Sequence, residues 1–485
     1  MMAEIASLRV LFQWKVLHRV TNLSFLLYLK PFDTSTECSR SRERYRRILL
    51  TALASASAKS IVAATTLISV PLTLGYLGHE RYGMWMTMIS IIAMLGFADL
   101  GVSNGLLNAV AEADGKNDRE AACRYVSSGI FVLTAIGILI LAIFTLAFPF
   151  VNWPRVFNVT SELAVREAGP TIAVFMAYLA VSIPLSVVDR VQLGYQSGFA
   201  NSLWGASGNL LGLAGVLLAI HLRLGLPWLV LAMAGAPILA SLANAIVLFR
   251  IQRPWLRPSL AALSGSAVIR LLKLGALFFT LQVSMTIAYA SDNVIAAWLL
   301  GPAAVTEYAV PARMFSIVPL LLSLALNPLW PAYRESFTRG DLSWVRKTFF
   351  QSLFWSLITS VPLSFILVIF GIPIIHYWVG PTITPSLPLL LGLGTWSILA
   401  SGGGALAMFL NGAGVIRFQV LCALLLLSTV ICLKIFMTYA LGISGIIWST
   451  VIAQITCVTV PSSVYIFKLL AKLRRDELGI LIVDK

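Results

Sequence analysis

The sequence predicts an all-α integral membrane protein: twelve transmembrane helices in two six-helix bundles, related by a pseudo-two-fold axis along the membrane normal. Three observations carry this expectation. Twelve long apolar stretches fill the chain between about residues 48 and 467. Lysine and arginine crowd every second gap between them. The loop after the second stretch recurs after the eighth.

A bilayer core of roughly 30 Å takes about 20 apolar residues per helix. Stretches near 50–75, 83–104, 125–149, 168–189, 201–221, 226–249, 271–299, 304–327, 348–371, 385–410, 415–438 and 442–467 have that length. Composition agrees: 59% of residues are hydrophobic, 11% are charged, and mean hydropathy is +0.89. A soluble chain carries about a quarter charged residues.

Cations set the orientation. With odd-numbered helices running outward, the cytoplasmic side takes 28 of the 35 Lys and Arg, and the outer side only Arg81, Arg155, Arg166 and Arg223. That asymmetry is the positive-inside pattern, so both termini are expected in the cytoplasm. The net charge of +15 forms a ring at one membrane face, which suits anionic phospholipid headgroups. No soluble basic domain exists to hold nucleic acid.

The expected organisation follows. Residues 1–46 form a basic cytoplasmic leader, read as a disordered or surface-lying segment or a misassigned start, and Arg40–Arg47 acts as a topology anchor. Residues 47–250 form the first bundle, 251–270 a cytoplasmic linker, 271–468 the second bundle and 469–485 a cytoplasmic tail. The longest gaps, about 150–167 and 250–270, are too short to bury a core of their own. A glycan-transferring enzyme needs a soluble lobe or long loops, so the chain reads as a mover of cargo, with no catalytic residues. Five well-separated cysteines give no metal cluster. Gly402-Gly403-Gly404 lies in an apolar stretch and is not a phosphate cradle, so neither nucleotide nor other cofactor is expected.

The repeat is explicit. NGLLNAVAEADGKNDREAACRY (104–125) aligns without gaps with NPLWPAYRESFTRGDLSWVRKT (327–348). Asn104 meets Asn327, Glu112 meets Glu335, Lys116 meets Arg339 and Asp118 meets Asp341. The same offset of 223 aligns Leu77-Gly78 with Leu300-Gly301. Six helices per half is an even number, so the repeats are parallel, as in transporters that rock two bundles about a central cavity.

Charges inside the bilayer are costly and persist where they pair or face water. Lys59, Asp99, Asp292 and Arg313 are the embedded candidates, and Asp189 and Arg190 sit at the inner rim. Depth along the helices predicts that Asp292 and Arg313 approach each other or share a wet cavity, and Lys59 and Asp99, at comparable inner depth, could pair likewise. Lys434 lies near an outer helix end and is expected to snorkel. Asn104, Asn108, Asn293 and Asn327 add amides suited to sugar hydroxyls or pyrophosphate oxygens, and helix-packing hydrogen bonds are the competing account of each.

The stretches VPLTLGYLGHERYGMW (70–85) and GFADLGVSNGLLN (96–108) resemble the first two helices of bacterial polysaccharide flippases. These are the O-antigen and exopolysaccharide transporters of the multidrug/oligosaccharidyl-lipid/polysaccharide (MATE-like) superfamily. SDNVIAAWLLG (291–301), EYAVPAR (307–313) and NPLWPAY (327–333) resemble the second half. The resemblance covers roughly residues 46–470. It implies a MATE-like fold in the bacterial inner membrane and a cargo of undecaprenyl-pyrophosphate-linked glycan, flipped from the cytoplasmic to the periplasmic leaflet. Other polysaccharide-assembly proteins are then candidate partners. Lys59 and Arg313 would neutralise the pyrophosphate, and Asp292 would tune Arg313 or couple transport to protons. The competing readings are a cation-coupled drug or metabolite extruder of the same superfamily, a peptidoglycan-precursor flippase, a glycan polymerase or ligase, and a membrane scaffold.

Overall fold

A computed structural model describes residue 32 and residues 36–94, 97–157, 159–379 and 383–477. The described residues are almost wholly helical, and eleven of their helices are long and apolar enough to cross a membrane.

α1 (Glu37–Met94) is two helices merged across Gly78, whose φ of +73° and ψ of 171° only glycine adopts readily. The helix begins at Glu37, ten residues before the expected boundary at 47, so the basic run 40–47 is ordered helix. The rest of the leader, residues 1–31 and 33–35, lies outside the described residues.

The expected second span, 83–104, is not one helix. Turns occupy 97–100, and a new helix, α2 (Val102–Gly115), starts at Gly101, with φ of +51° at Leu100 and +71° at Gly101. Asp99 Oδ1 accepts the Gly101 N–H at 2.9 Å and so holds the break. A hydropathy window cannot see this, because the turn residues Ala98, Leu100 and Gly101 are themselves small or apolar.

α3 (Arg119–Ala147) starts on Asp118, which accepts the Ala121 N–H at 2.9 Å. α4 (Glu162–Gly194), α5 (Gly198–His221) and α6 (Leu226–Ile246) complete the first half. Short turns through 253–262 lead to α7 (Gly265–Leu300). α8 (Pro302–Phe315), α9 (Ile317–Leu326) and α10 (Leu329–Arg339) form a segmented second helix of this half. α11 (Leu342–Val379), α12 (Leu387–Ala413), α13 (Ile416–Leu441), α14 (Ile443–Gln454) and α15 (Val460–Glu477) follow.

Left-handed residues recur in step through the two halves. Gly78 matches Gly301 (φ +89°, ψ 169°), and Asn117 (φ +53°) matches Gly340 (φ +78°), both at the offset of 223. Gln196 and Gly414 end α4 and α12, and Arg223 and Gly442 end α5 and α13.

Packing follows the halves except at their boundary, where Leu271 of α7 joins the first half's cluster. One apolar cluster joins Leu106, Val126, Val187 and Val191, and another joins Met84, Met88, Phe175 and Leu229. In the second half, Tyr333, Phe349 and Phe409 centre one cluster and Phe315, Leu390 and Ile447 another. Tyr45 and Ile48 from the start of α1 pack on the same cluster as Leu469 and Leu470, so the start of α1 and the middle of α15 lie at one end of the described molecule. Outward faces are apolar too: Ile138, Leu139, Ile143 and Leu146 on α3 are all exposed, as a surface solvated by lipid requires.

Candidate functional site

The two halves meet most closely where α2 crosses α7. A Cβ on Gly101 would overlap the Gly275 carbonyl oxygen, and one on Gly275 would lie 3.0 Å from the Leu100 oxygen. Only hydrogen fits there. Phe97 and Phe279 meet edge-to-face beside this contact, with centroids 6.3 Å apart. Further along α2, buried Asn108 accepts Trp330 Nε1–H at 2.7 Å across the halves. At the end of α2, a Cβ on Gly115 would sit 2.7 Å from Thr338 Cβ.

Around this contact lies a network of ion pairs, and it follows the repeat. Glu112 Oε2 accepts from Arg270 at 2.6 Å and from Arg334, while Oε1 accepts from Lys116 at 2.8 Å. Its counterpart Glu335 accepts from Arg44 at 2.6 Å and is ion-paired with Arg339. Each glutamate therefore holds the cation four residues on in its own helix and an arginine from the first helix of the other half. Asp341 takes the second arm of Arg44 at 2.5 Å and Arg40 at 3.3 Å. Arg44 is almost fully buried, stacked 5.1 Å from the Trp344 ring centroid. Burial pushes the Glu112 carboxyl up, but Lys116, Arg334 and Arg270 outweigh it and hold the carboxyl at about 2. Burial likewise opposes ionisation of Asp341, and Arg44 and Arg40 reverse the sign and keep it below the usual range. The run 40–47 is thus the first half's share of a latch, beyond the anchoring role expected of it.

At the opposite end, the following polar contacts among the described residues lie within halves. Tyr76 donates to the Leu224 carbonyl at 2.8 Å, and Arg81 pairs with Glu167 at 3.3 Å. Glu80 accepts the Ser161 N–H at 3.1 Å, and Trp448 donates to the Pro388 carbonyl at 3.1 Å.

Inside the span, Asp292 on α7 pairs with Lys434 on α13 at 2.5 Å and accepts from Tyr308 at 2.5 Å. Lys434 is fully buried and also donates to the Ala288 carbonyl at 2.5 Å and to Ser291 at 3.0 Å. This corrects two expectations: Asp292 does not meet Arg313, and Lys434 does not snorkel. Lys434 stands eight residues before Gly442, about 12 Å from the helix end, which is beyond the reach of its stem. The small side of α7 at Ala288 lets its ammonium in.

The other candidates disperse. Lys59 and Arg313 are exposed, on α1 and α8, and form no ion pair among the described residues. Asp99 does not meet Lys59; with Asp189 it acts electrostatically on Arg190. Asn104 is half-buried, and Asn293 and Asn327 are exposed. Buried Gln192 exchanges hydrogen bonds with Asn244 at 2.7 and 3.1 Å, which is helix glue. No group of three or more His, Cys, Asp or Glu gathers among the described residues.

A cavity of about 840 Å³ opens beside the latch, between the start of α7, the start of α13 and Tyr465. Arg270, Lys273, Arg334 and Arg417 line it, with Asn108 at its wall and Leu274, Leu277 and Phe418 among its apolar sides. Sequence reading placed Arg270, Lys273 and Arg417 only in a diffuse basic ring. Contacts between residues more than a hundred positions apart assemble them into one wall.

Residues 49–337 match a family model described as polysaccharide biosynthesis protein. A Salmonella typhi protein named as an O-antigen transporter is 22% identical over 303 residues, covering 62% of this chain and 68% of that protein. A second, of the same name from Salmonella typhimurium, is 20% identical over 59% of this chain and 65% of that protein. Among solved structures, a multidrug resistance MATE family transporter of the MOP superfamily in an outward-facing conformation superposes with a TM-score of 0.73. It is 16% identical and covers 89% of this chain and 96% of its own. A MOP superfamily transporter from Pyrococcus furiosus gives a TM-score of 0.73 at 16% identity, over 88% of this chain and 96% of that one. The fold is MATE-like.

Proposed function

The chain belongs to the polysaccharide biosynthesis protein family, a transporter rather than an enzyme, and on that premise we propose that it flips undecaprenyl-pyrophosphate-linked oligosaccharide. The cargo passes from the cytoplasmic to the periplasmic leaflet of the bacterial inner membrane by alternating access. The observation that carries this reading is the one-sided latch: the ion pairs joining the halves gather where the chain ends and the basic loops lie. With the basic end taken as the cytoplasmic one by the positive-inside pattern, the halves are latched together on the cytoplasmic side.

The two halves act as parallel six-helix bundles. The paired left-handed turns at Gly78 and Gly301 and at Asn117 and Gly340 support this, as does the matched pairing of Glu112 and Glu335. Eleven spans and the broken segment through α2 would make twelve crossings, and an even count suits the start of α1 packing beside α15.

Lys59 and Arg313 are exposed inside apolar spans, where contact with hydrocarbon is costly and contact with a wet cleft is not. They sit on helices that approach each other across the halves, α1 touching α9 just beyond Arg313. There they would meet the pyrophosphate, with Asp99 on the same path, Asn104, Asn108, Asn293 and Asn327 serving sugar hydroxyls, and Asp189 and Arg190 forming the inner rim. Asp292 is the coupling candidate, and its ionisation is tied to Lys434. For the extruder reading, that pairing leaves Asp99 as the embedded carboxylate outside an ion pair among the described residues.

The test is to deplete the protein and assay which leaflet holds the lipid-linked glycan. Complete units accumulating on the cytoplasmic leaflet support the flippase. Normal translocation with raised sensitivity to cationic drugs replaces it with the extruder.

A further inference from the structure

The cavity beside the latch carries four cations, and the nearest carboxylate, Glu112, is already shared among Arg270, Arg334 and Lys116. Lys273 and Arg417 are exposed and form no ion pair among the described residues. Cations in excess of carboxylates on a cavity wall suit an oxyanion, which charge-assisted hydrogen bonds hold.

The wall is also graded. Arg270, Lys273, Leu274 and Leu277 lie one helical turn apart along one face of α7. Charge gives way to apolar surface within about 10 Å, moving from the basic end into the span. Free nucleotides and sugar phosphates do not need that gradient; a phosphate group joined to an apolar chain does. The volume, about 840 Å³, lies within the roughly 300–1,000 Å³ of small-molecule sites.

We propose that this cavity, lying beside the latch and opening at the basic end, seats the phosphate or pyrophosphate headgroup of a lipid, and that its occupancy loosens the latch. The mechanism is competition. Arg270 and Arg334 cannot serve both Glu112 and a bound di- or trianion at full strength. Drawing them toward the headgroup leaves Glu112 with Lys116 of its own helix and removes its bonds to the second half. Arrival of an anionic lipid is thereby coupled to opening of the basic end. Pyrophosphate-linked cargo and anionic phospholipid share the chemistry, and the identification with cargo rests on the flippase reading.

The test uses the full chain in phosphatidylcholine nanodiscs, with spin labels at positions 120 and 347, both exposed at the basic end on opposite halves. Geranylgeranyl diphosphate is the probe. Binding with a lengthened 120–347 distance is the expected result. In K273Q/R417Q, at two exposed positions outside the latch, binding should weaken by roughly tenfold per lost cation. Binding unchanged in K273Q/R417Q overturns the site, and binding with an unchanged distance overturns the coupling. Nanodiscs doped with phosphatidylglycerol separate the sources: an equal shift at equal mole fraction makes the occupant a membrane phospholipid and removes the cargo role. The leaflet assay on cells carrying K273Q/R417Q keeps the two readings apart. Normal flipping with lost probe binding sinks the cargo role alone, whereas a wild-type protein that flips nothing sinks the flippase.

Discussion

Glu112 and Asp292 are both partly buried carboxylates held by cations, yet they do opposite things. Glu112 lies at the basic end, is shared among three cations, and ties one half of the chain to the other. Asp292 lies inside the span and is paired with the fully buried Lys434 of its own half. A pair between moving bodies can exchange partners with water or cargo when they part. A pair within one body has no such exchange and serves its rigidity. On the proposed mechanism the difference lies in where the partners sit relative to the moving boundary: Glu112 would act as the switch, and Asp292, proposed above for coupling, would act from a fixed strut within its own half.

The strut gives the largest expected effect. Lys434→Met leaves Asp292 without its countercharge and should destabilise the protein by about 3–5 kcal/mol, the usual cost of breaking a buried pair from one side. Thermal unfolding in nanodiscs measures it, and the double change with Asp292→Asn should recover much of the loss. A neutral Lys434→Met would mean that the pair is solvated and would erase the distinction.

The switch comes next. Glu112→Gln frees Arg270 and Arg334 and should favour the parted basic end by roughly 2–4 kcal/mol. Unfolding should change little, while the 120–347 distance distribution lengthens. A lost fold with an unchanged distance would make Glu112 a strut as well.

Gly275→Val probes the same boundary through packing. Its Cβ would lie 3.0 Å from the Leu100 oxygen and from Val102 Cγ2, with two methyls still to place. Overpacking of about 1–3 kcal/mol should again part the halves at the basic end. The same labels read it, and a distance that stays short means the contact relaxes sideways.

Acidification gives the smallest effect. The Glu112 carboxyl is held at about 2, below its ordinary value of 4.5. A depressed carboxylate contributes its stabilisation above the unfolded value and loses it as pH falls through the folded one. The Glu112 bonds should therefore persist from pH 7 to about 4.5 and fail between there and about 2. Its neighbour Asp114 is shifted the other way, by burial first and then by Glu335, and takes a proton earlier. Distances recorded across a pH series check this; an opening near pH 6 would assign the switch to another group.

Much of this was legible in the sequence. Apolar length marked the spans, and the offset of 223 marked both glutamates, their i+4 cations and the two left-handed glycines. The latch itself was not legible, although its parts were aligned, because Arg44 reaches Glu335 across 291 residues and no periodicity reports such a contact. The basic run before the first helix looked like an anchor, since nothing local shows that Arg44 is buried. Lys434 was misjudged for a related reason. Distance from a helix end suggests snorkelling, whereas the packing of α13 on Ala288 decides it. The break at Leu100-Gly101 hid inside an apolar window because the residues that turn there are small or apolar.

The central claim is that the basic end opens during every transport cycle, and a cross-link tests it most directly. Gly115→Cys with Thr338→Cys, in a chain whose native cysteines are replaced, brings two thiols together across the closed latch. The account predicts that oxidation cross-links the pair and stops delivery of lipid-linked glycan to the periplasmic leaflet, and that reduction restores it. Undiminished delivery with the cross-link fully formed would contradict the claim.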